Sequence, residues 1–156
     1  MSPSSPALGS GQRASPRIVL AKPGMDGHNR GVRVVARALV SAGCDVIYLG
    51  IRRTAQEIAA AAVQEDADAV GISLLSGAHV ALCTAVRQAL DAAGAADVPL
   101  ICGGIIPAED FGLMRQAGAE AIFTPGASLQ TIAETVWHIV GDREAQRRSS
   151  LTQPEV

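Results

Sequence analysis

The chain has 156 residues, of which 48% are hydrophobic, and a formal net charge of −2. This length suffices for one domain with a well-buried core, and no segment approaches the roughly 20 consecutive apolar residues of a membrane-spanning helix. The chain has no basic stripe, and its aromatic residues are two Phe, one Trp and one Tyr. These features exclude a membrane protein and argue against nucleic acid as a partner.

The two ends differ in composition from the middle of the chain. Residues 1–16 are rich in Ser, Pro and Gly and lack the apolar core of a signal peptide, which predicts a disordered leader and a cytoplasmic protein. Residues 17–140 are predicted to form the domain. Residues 141–156 are charged and polar, and they predict a flexible tail.

Short apolar runs alternate with helix-like segments through the predicted domain. The runs lack polar alternation, as is typical of buried parallel strands, and they predict strands at 17–21, 45–49, 69–73, 99–102 and 121–124. Helices are predicted at 30–42, 54–65, 79–93, 107–118 and 129–140. Five strand–helix units in a row predict an α/β protein with a flavodoxin-like (Rossmann-like), doubly wound five-stranded parallel sheet in the order 2-1-3-4-5.

In this topology ligands bind beyond the carboxyl ends of the strands, at the switch point between the first and third strands. The segments that follow the first, third, fourth and fifth predicted strands are short of large side chains; they are 22–31, 73–77, 103–104 and 124–126. Helix caps and tight turns explain part of this glycine content. Four such loops at one edge nevertheless indicate a crevice that is open to a large ligand.

The loop after the first strand concentrates ionisable residues among glycines. Asp26 stands two residues before His28, so its carboxylate can orient the imidazole and leave the other ring nitrogen free to ligate a metal. A glycine-rich turn with an exposed histidine explains the same residues. The other histidines are distant in sequence, His79 at a predicted helix start and His138 on a predicted helix surface, so a structural zinc site is not expected.

Several common ligands require motifs that this chain lacks. Neither GxGxxG nor GxxxxGK[ST] is present for a nucleotide. A phosphoacceptor receiver domain would end the third strand with aspartate, where Ser73 stands, and a flavin site would need aromatic loops. Cys44, Cys83 and Cys102 fall into no CxxC or zinc spacing, and we assign them no functional role.

Three motifs at three strand ends resemble the cobalamin-binding domains of methylmalonyl-CoA-type mutases. They are Asp26-Gly-His28-Asn-Arg-Gly31 (DxHxxG), Ser73-Leu-Leu75 (SxL) and Gly103-Gly104 (GG), in the family's order and spacing. The similarity covers roughly residues 17–140. The local sequences LSGAH and IFTPG are most similar to the small subunits of isobutyryl-CoA mutase and related two-chain acyl-CoA mutases.

The resemblance implies that cobalamin binds base-off, with His28 replacing dimethylbenzimidazole as the lower axial ligand of cobalt. Asp26 would orient His28, and Lys22 would extend the hydrogen-bonded relay and keep Asp26 ionised. Ser73 would hydrogen-bond the displaced benzimidazole and Leu75 would pack on it, although a serine there can also simply cap a turn. The other residues assigned to the cofactor are Gly27, Arg30, Gly31, Gly77, Gly103, Gly104, Thr124 and Gly126.

The function implied by the resemblance is that of a cobalamin-binding small subunit in an adenosylcobalamin-dependent acyl-CoA mutase, an isomerase that is inactive without its partner. No residue of this chain is predicted to be catalytic beyond support of the cofactor. The implied partner is a large mutase subunit with the acyl-CoA-binding barrel. The alternatives are a corrinoid carrier for methyl transfer, which usually has an additional helical cap, and a cobalamin-sensing module, which would need an output domain.

Overall fold

Five strands alternate with five helices in a computed structural model that describes residues 15–25, 27–75 and 77–152, with side chains as far as residue 150. The strands are β1 (Arg17–Pro23), β2 (Asp45–Arg53), β3 (Ala69–Leu74), β4 (Leu100–Gly104) and β5 (Ala119–Phe123). The helices are α1 (Arg30–Ser41), α2 (Ala55–Gln64), α3 (His79–Ala92), α4 (Phe111–Gln116) and α5 (Leu129–Thr152), and a 3-10 helix (Ala108–Asp110) precedes α4. Apart from residues 15 and 16, the predicted leader lies outside the described residues.

The strands form one parallel sheet in the order β2-β1-β3-β4-β5. The register places Ser73 beside Gly103, and Gly103 beside Phe123, so the carboxyl ends of β3, β4 and β5 meet at one edge. Six of the seven residues of β1 are buried because helices cover both faces of the sheet. The predicted flavodoxin-like fold is confirmed. In the described residues, no helix has the length and apolar character needed to cross a bilayer.

Successive residues of β1 contribute to cores on opposite faces of the sheet. Val19 packs in a core with Ile58 of α2, on the face that α2, α3 and α4 cover. Ile18 packs in a second core with Leu39 of α1 and Val136 of α5. The domain is therefore a three-layer sandwich, and its α1/α5 layer forms one wall of the cavity described below.

All three cysteines lie in these cores as buried, free thiols. The Sγ atoms of Cys83 and Cys102 are 3.6 Å apart. The hydrogen bond with Cys83 and the burial raise the pKa of the Cys102 thiol. These side chains act as small apolar residues, as buried cysteines commonly do.

The last helix is longer than the sequence predicts. Its expected end at Val140 is wrong, since α5 continues to Thr152, so the segment predicted as a flexible tail is helical from 141 to 152; residues 153–156 lie outside the described part. Arg143 explains the difference, because its side chain is only 9% exposed and contacts two carboxylates. Its Nη1 atom is 3.3 Å from Asp68 Oδ1, and its Nη2 atom is 3.0 Å from Asp97 Oδ2.

Candidate cofactor site

A cavity of about 390 Å³ opens at the carboxyl edge of the sheet, between the sheet and the helices α1 and α5. Its walls are apolar, with Val32 and Val35 from α1, Ile132 from α5 and Phe123 from β5 among them. Among the residues that the structure describes, the polar side chains in the lining are those of Ser73 and Thr124, both hydroxyls. A slot of this kind suits a flat, apolar ring with a hydrogen-bonding atom.

Two adjacent positions in the cavity wall, 103 and 104, hold glycine for different physical reasons. Gly104 has φ +146°, and a Cβ there would collide with the carbonyl oxygen of Leu74, so the backbone itself demands glycine. A Cβ at Gly103 would meet only the Phe123 carbonyl oxygen, at an ordinary 3.7 Å. The fold therefore tolerates a side chain at Gly103, and what glycine provides there is space in the cavity.

Lys22 is buried at the end of β1, with 3% of its surface exposed. Its Nζ atom lies 3.5 Å from the Ser73 hydroxyl oxygen, which connects the end of β1 to the end of β3. A buried ammonium group favours an ionised carboxylate nearby. Asp26, the other end of the predicted relay from Lys22, lies outside the described residues.

His28 is exposed in the loop between β1 and α1. Beside this loop lies Arg52, a residue that the sequence analysis missed because β2 extends beyond its predicted end at residue 49. The Nη2 atom of Arg52 is 3.1 Å from the position that a Cβ of Gly27 would occupy, so glycine lets the guanidinium approach the loop. Arg52 itself has φ +55°, which is unusual for a residue with a side chain.

The structure divides the predicted site residues into two groups. Those that line the cavity are Gly31, Ser73, Gly103, Gly104 and Thr124. Those that are exposed and do not line the cavity are Gly27, His28, Arg30, Leu75, Gly77 and Gly126. Two large apolar side chains that were not predicted are also exposed: Met25 (85%), which follows β1, and Ile105 (68%), which lines the cavity. Leu75 is 53% exposed.

His79 begins α3, as predicted, but it is buried and makes two hydrogen bonds. Its Nδ1 atom accepts the backbone N–H of Gly77 at 3.1 Å, and its Nε2 atom lies 2.7 Å from Asp110 Oδ2. His138 lies on the surface of α5, as predicted, 3.3 Å from Asp142. Sequence periodicity could not have found the His79 contact, because its carboxylate partner is 31 residues away.

The cavity, the glycine wall and the exposed histidine loop together have the features of a cofactor-binding domain, and comparison with known proteins gives its class. Residues 16–133 match the family model of the B12 binding domain. The chain belongs to this family, its cofactor is a cobalamin, and the resemblance inferred from the three motifs is confirmed.

The similarity extends to particular mutases. The chain is 43% identical over 130 residues to the 2-hydroxyisobutanoyl-CoA mutase small subunit of Aquincola tertiaricarbonis, an alignment that covers 83% of this chain and 96% of that subunit. It is 38% identical over 131 residues to the methylmalonyl-CoA mutase of Cereibacter sphaeroides, covering 84% of this chain and 18% of that enzyme. The chain therefore spans nearly all of the former relative and less than a fifth of the latter.

Solved structures support the fold. A cobalamin-binding protein from Desulfitobacterium hafniense DCB-2 superposes with a TM-score of 0.71 at 20% identity, covering 81% of this chain and 60% of that one. The signal receiver domain of the putative response regulator NarL from Mycobacterium tuberculosis superposes with a TM-score of 0.63 at 15% identity, covering 81% and 97%. The same sheet thus occurs in different protein classes, so the residues of the site, and not the fold, distinguish one class from another.

Proposed function

We propose that this chain is the cobalamin-binding small subunit of a cytoplasmic, adenosylcobalamin-dependent acyl-CoA mutase that interconverts isobutyryl-CoA and n-butyryl-CoA or a related acyl-CoA pair. The observation that carries the proposal is the 43% identity to the 2-hydroxyisobutanoyl-CoA mutase small subunit, 96% of which is covered. When bound, adenosylcobalamin supplies the radical chemistry that rearranges the carbon skeleton. This chain would bind and orient the cofactor and exclude water from it.

The cavity supports a base-off mode of binding. Dimethylbenzimidazole is a flat apolar ring with a nitrogen acceptor, and the cavity is apolar apart from the hydroxyls of Ser73 and Thr124. We assign the hydrogen bond with the benzimidazole to Ser73. Gly31, Gly103 and Gly104 leave room along the walls, and the cavity volume of about 390 Å³ falls within the range of small-molecule sites.

We assign the lower axial position on cobalt to His28, whose exposed loop adjoins this edge of the sheet. Asp26 would accept a hydrogen bond from the N–H of one imidazole nitrogen, which directs the other nitrogen to the metal and raises its basicity. The buried ammonium group of Lys22 would favour the ionised form of that aspartate.

The exposed residues around the cavity are assigned to the corrin ring. The apolar side chains of Met25, Leu75 and Ile105 are largely open to solvent, and a corrin lying over them would cover apolar surface. The remaining predicted contacts are polar or small, and they are Gly27, Arg30, Gly77 and Gly126. Glycines at such positions let a backbone approach a bulky ring closely.

A valine at Gly103 should weaken the binding of intact cobalamin about tenfold, the effect of overpacking a filled site by roughly 1–3 kcal/mol. Cobinamide lacks the nucleotide tail, and its affinity should be unchanged. Absorbance titration of both corrinoids measures the two dissociation constants. Gly112→Val on α4 is the matched control, since a Cβ there meets nothing within 4 Å. Equal losses for the two corrinoids would show that Gly103 serves only the fold.

The proposed partner is a large mutase subunit with the acyl-CoA-binding barrel. Among the described residues no Lys or Arg lines the cavity, so it offers no cationic side chain to the several phosphates of coenzyme A. A separate chain would provide that site and cover the upper face of the corrin. Since cofactor and partner would then share contacts, each should tighten the binding of the other by the same factor.

The test of this division of labour is reconstitution. The chain alone should bind adenosylcobalamin without isomerising isobutyryl-CoA, and turnover should appear only on addition of the large chain that co-purifies with it. Calorimetry with and without adenosylcobalamin measures the coupling. Turnover by this chain alone would contradict the two-subunit proposal, and methyl transfer to an acceptor protein without isomerisation would identify a corrinoid carrier instead.

A further inference from the structure

A histidine–aspartate pair joins two segments that begin in the cavity wall. His79 at the start of α3 is 7% exposed, and its Nε2 atom lies 2.7 Å from Oδ2 of Asp110, whose side chain is 27% exposed. The same imidazole accepts the backbone N–H of Gly77 at its Nδ1 atom, at 3.1 Å. One side chain thus connects the β3–α3 loop to the 3-10 helix that follows β4.

These contacts define the protonation of the ring. A backbone N–H can only donate, so Nδ1 of His79 must carry the lone pair and accept. In a neutral imidazole the proton then lies on Nε2, where it is donated to the carboxylate of Asp110. Both ring nitrogens are used, and no aliphatic side chain could replace either bond.

The pair links the segments that follow β3 and β4, two neighbouring strands of the cavity wall. Gly77 lies four residues after Ser73, and Asp110 lies six residues after Gly104, while Ser73 and Gly103 are neighbours across β3 and β4. The β3–α3 loop has little packing of its own, since a Cβ added at Gly77 would meet nothing within 4 Å and Leu75 is 53% exposed. Within the loop the Ala78 N–H donates to the Leu75 carbonyl oxygen at 3.3 Å, and the hydrogen bond from the Gly77 N–H to His79 connects the loop, through Asp110, to the segment after β4.

We propose that His79 and Asp110 are positioning residues of the cofactor site. They hold the β3–α3 loop against the segment after β4, so that Leu75 occupies its place before the cofactor arrives, next to Ser73, which pairing with β4 already fixes. This inference rests on the proposed binding of the nucleotide tail in the cavity. Binding to a loop that is already ordered avoids the entropy loss of ordering it, so the pair raises affinity without touching the ligand.

The variants His79→Leu and Asp110→Ala test the pair, and Asp110→Asn is the conservative counterpart, because its amide oxygen still accepts the Nε2–H. His79→Leu and Asp110→Ala should weaken intact cobalamin about tenfold, as expected for a lost hydrogen bond to a charged group, and leave cobinamide within about twofold. Asp110→Asn should stay near the wild type. His138→Leu is the control, since its pair with Asp142 is exposed on α5.

Hydrogen exchange on the cofactor-free protein provides a readout that does not depend on ligand binding. The amides of Leu75 and Gly77 should exchange faster in His79→Leu and Asp110→Ala than in the wild type and in His138→Leu. If His79→Leu does not fold, the comparison is made with Asp110→Ala alone, because the side chain of Asp110 is partly exposed and its loss should be tolerated by the fold.

Unchanged exchange, or equal losses for cobalamin and cobinamide in the variants, would overturn the positioning role. A wild-type protein that binds cobinamide as tightly as cobalamin would instead contradict the proposed place of the nucleotide tail. The exchange rates of the cofactor-free loop would still show whether the pair orders it. The exchange rates therefore test the positioning role, and the affinities of the wild type for the two corrinoids test the proposed binding of the nucleotide tail.

Discussion

Replacing His28 with alanine should remove the hyperfine coupling of a protein histidine nitrogen from the EPR spectrum of cob(II)alamin bound to this chain. The loop between β1 and α1 exposes the imidazole of His28 at the edge where the cavity opens, so a corrin lying over this edge can contact it. His79 uses both ring nitrogens within the protein. Affinity for cobalamin should also fall at least about tenfold, since even residues that only orient a metal ligand contribute that much.

Isotopic labelling of histidine makes this test specific, because only a nitrogen bonded to cobalt changes its coupling with the label. His138→Ala is the matched control, since its side chain is 78% exposed on α5 and it should retain the wild-type spectrum. Histidine coupling that survives in His28→Ala would show that another residue ligates cobalt. The cavity would still be available for the nucleotide tail, so the result would correct the ligand and leave the binding site.

Replacing Arg143 with methionine should lower the free energy of unfolding by about 2 to 3 kcal/mol, somewhat less than the roughly 3–5 kcal/mol for removing one partner of a fully buried pair. The side chains of Arg143 and Asp68 are 9% and 14% exposed, so the change leaves a carboxylate with little water around it. The loss is moderated because Asp68 still accepts the backbone N–H of Arg17, and because Asp97 is 53% exposed.

Urea unfolding followed by circular dichroism measures this change. Arg147→Met is the matched control on the same helix, because Arg147 is 53% exposed and lies 3.9 Å from Asp97. An exposed pair of this kind contributes roughly 0–1 kcal/mol. Equal stability of Arg143→Met and the wild type would mean that the extension of α5 contributes nothing to the fold.

The acid dependence of the same variant tests the ion pair directly. Partial burial raises the pKa of Asp97, but the hydrogen bond and charge of Arg143, together with smaller contributions from a backbone hydrogen bond and the charge of Arg147, hold this pKa below its ordinary value. A lowered native pKa stabilises the protein above the ordinary aspartate pKa, and this contribution is lost as the pH falls through the native value. The stability difference between wild type and Arg143→Met should therefore narrow below about pH 4. A stability difference that stays constant over this pH range would show that the ion pair with Asp97 does not contribute to it.

Local patterns of the sequence predicted the features that depend on neighbouring residues. Apolar runs and helix caps predicted the α/β fold and the positions of its elements, because each strand and helix is encoded by a short stretch. The sequence placed Ser73, Gly103 and Thr124 at one edge of the sheet, because the carboxyl ends of neighbouring parallel strands meet there, and all three line the cavity.

Contacts between distant residues required the tertiary structure. His79 meets Asp110 across 31 residues, and Arg143 meets Asp68 across 75, and no periodicity of the sequence relates such positions. For this reason the sequence alone placed His79 only at a helix start and ended α5 at Val140. The sequence by itself determined the fold and the edge of the sheet at which the cavity opens. The packing of the elements decided which polar groups hold that edge together, because a buried charge or imidazole is stabilised by partners that only the fold brings within hydrogen-bonding distance.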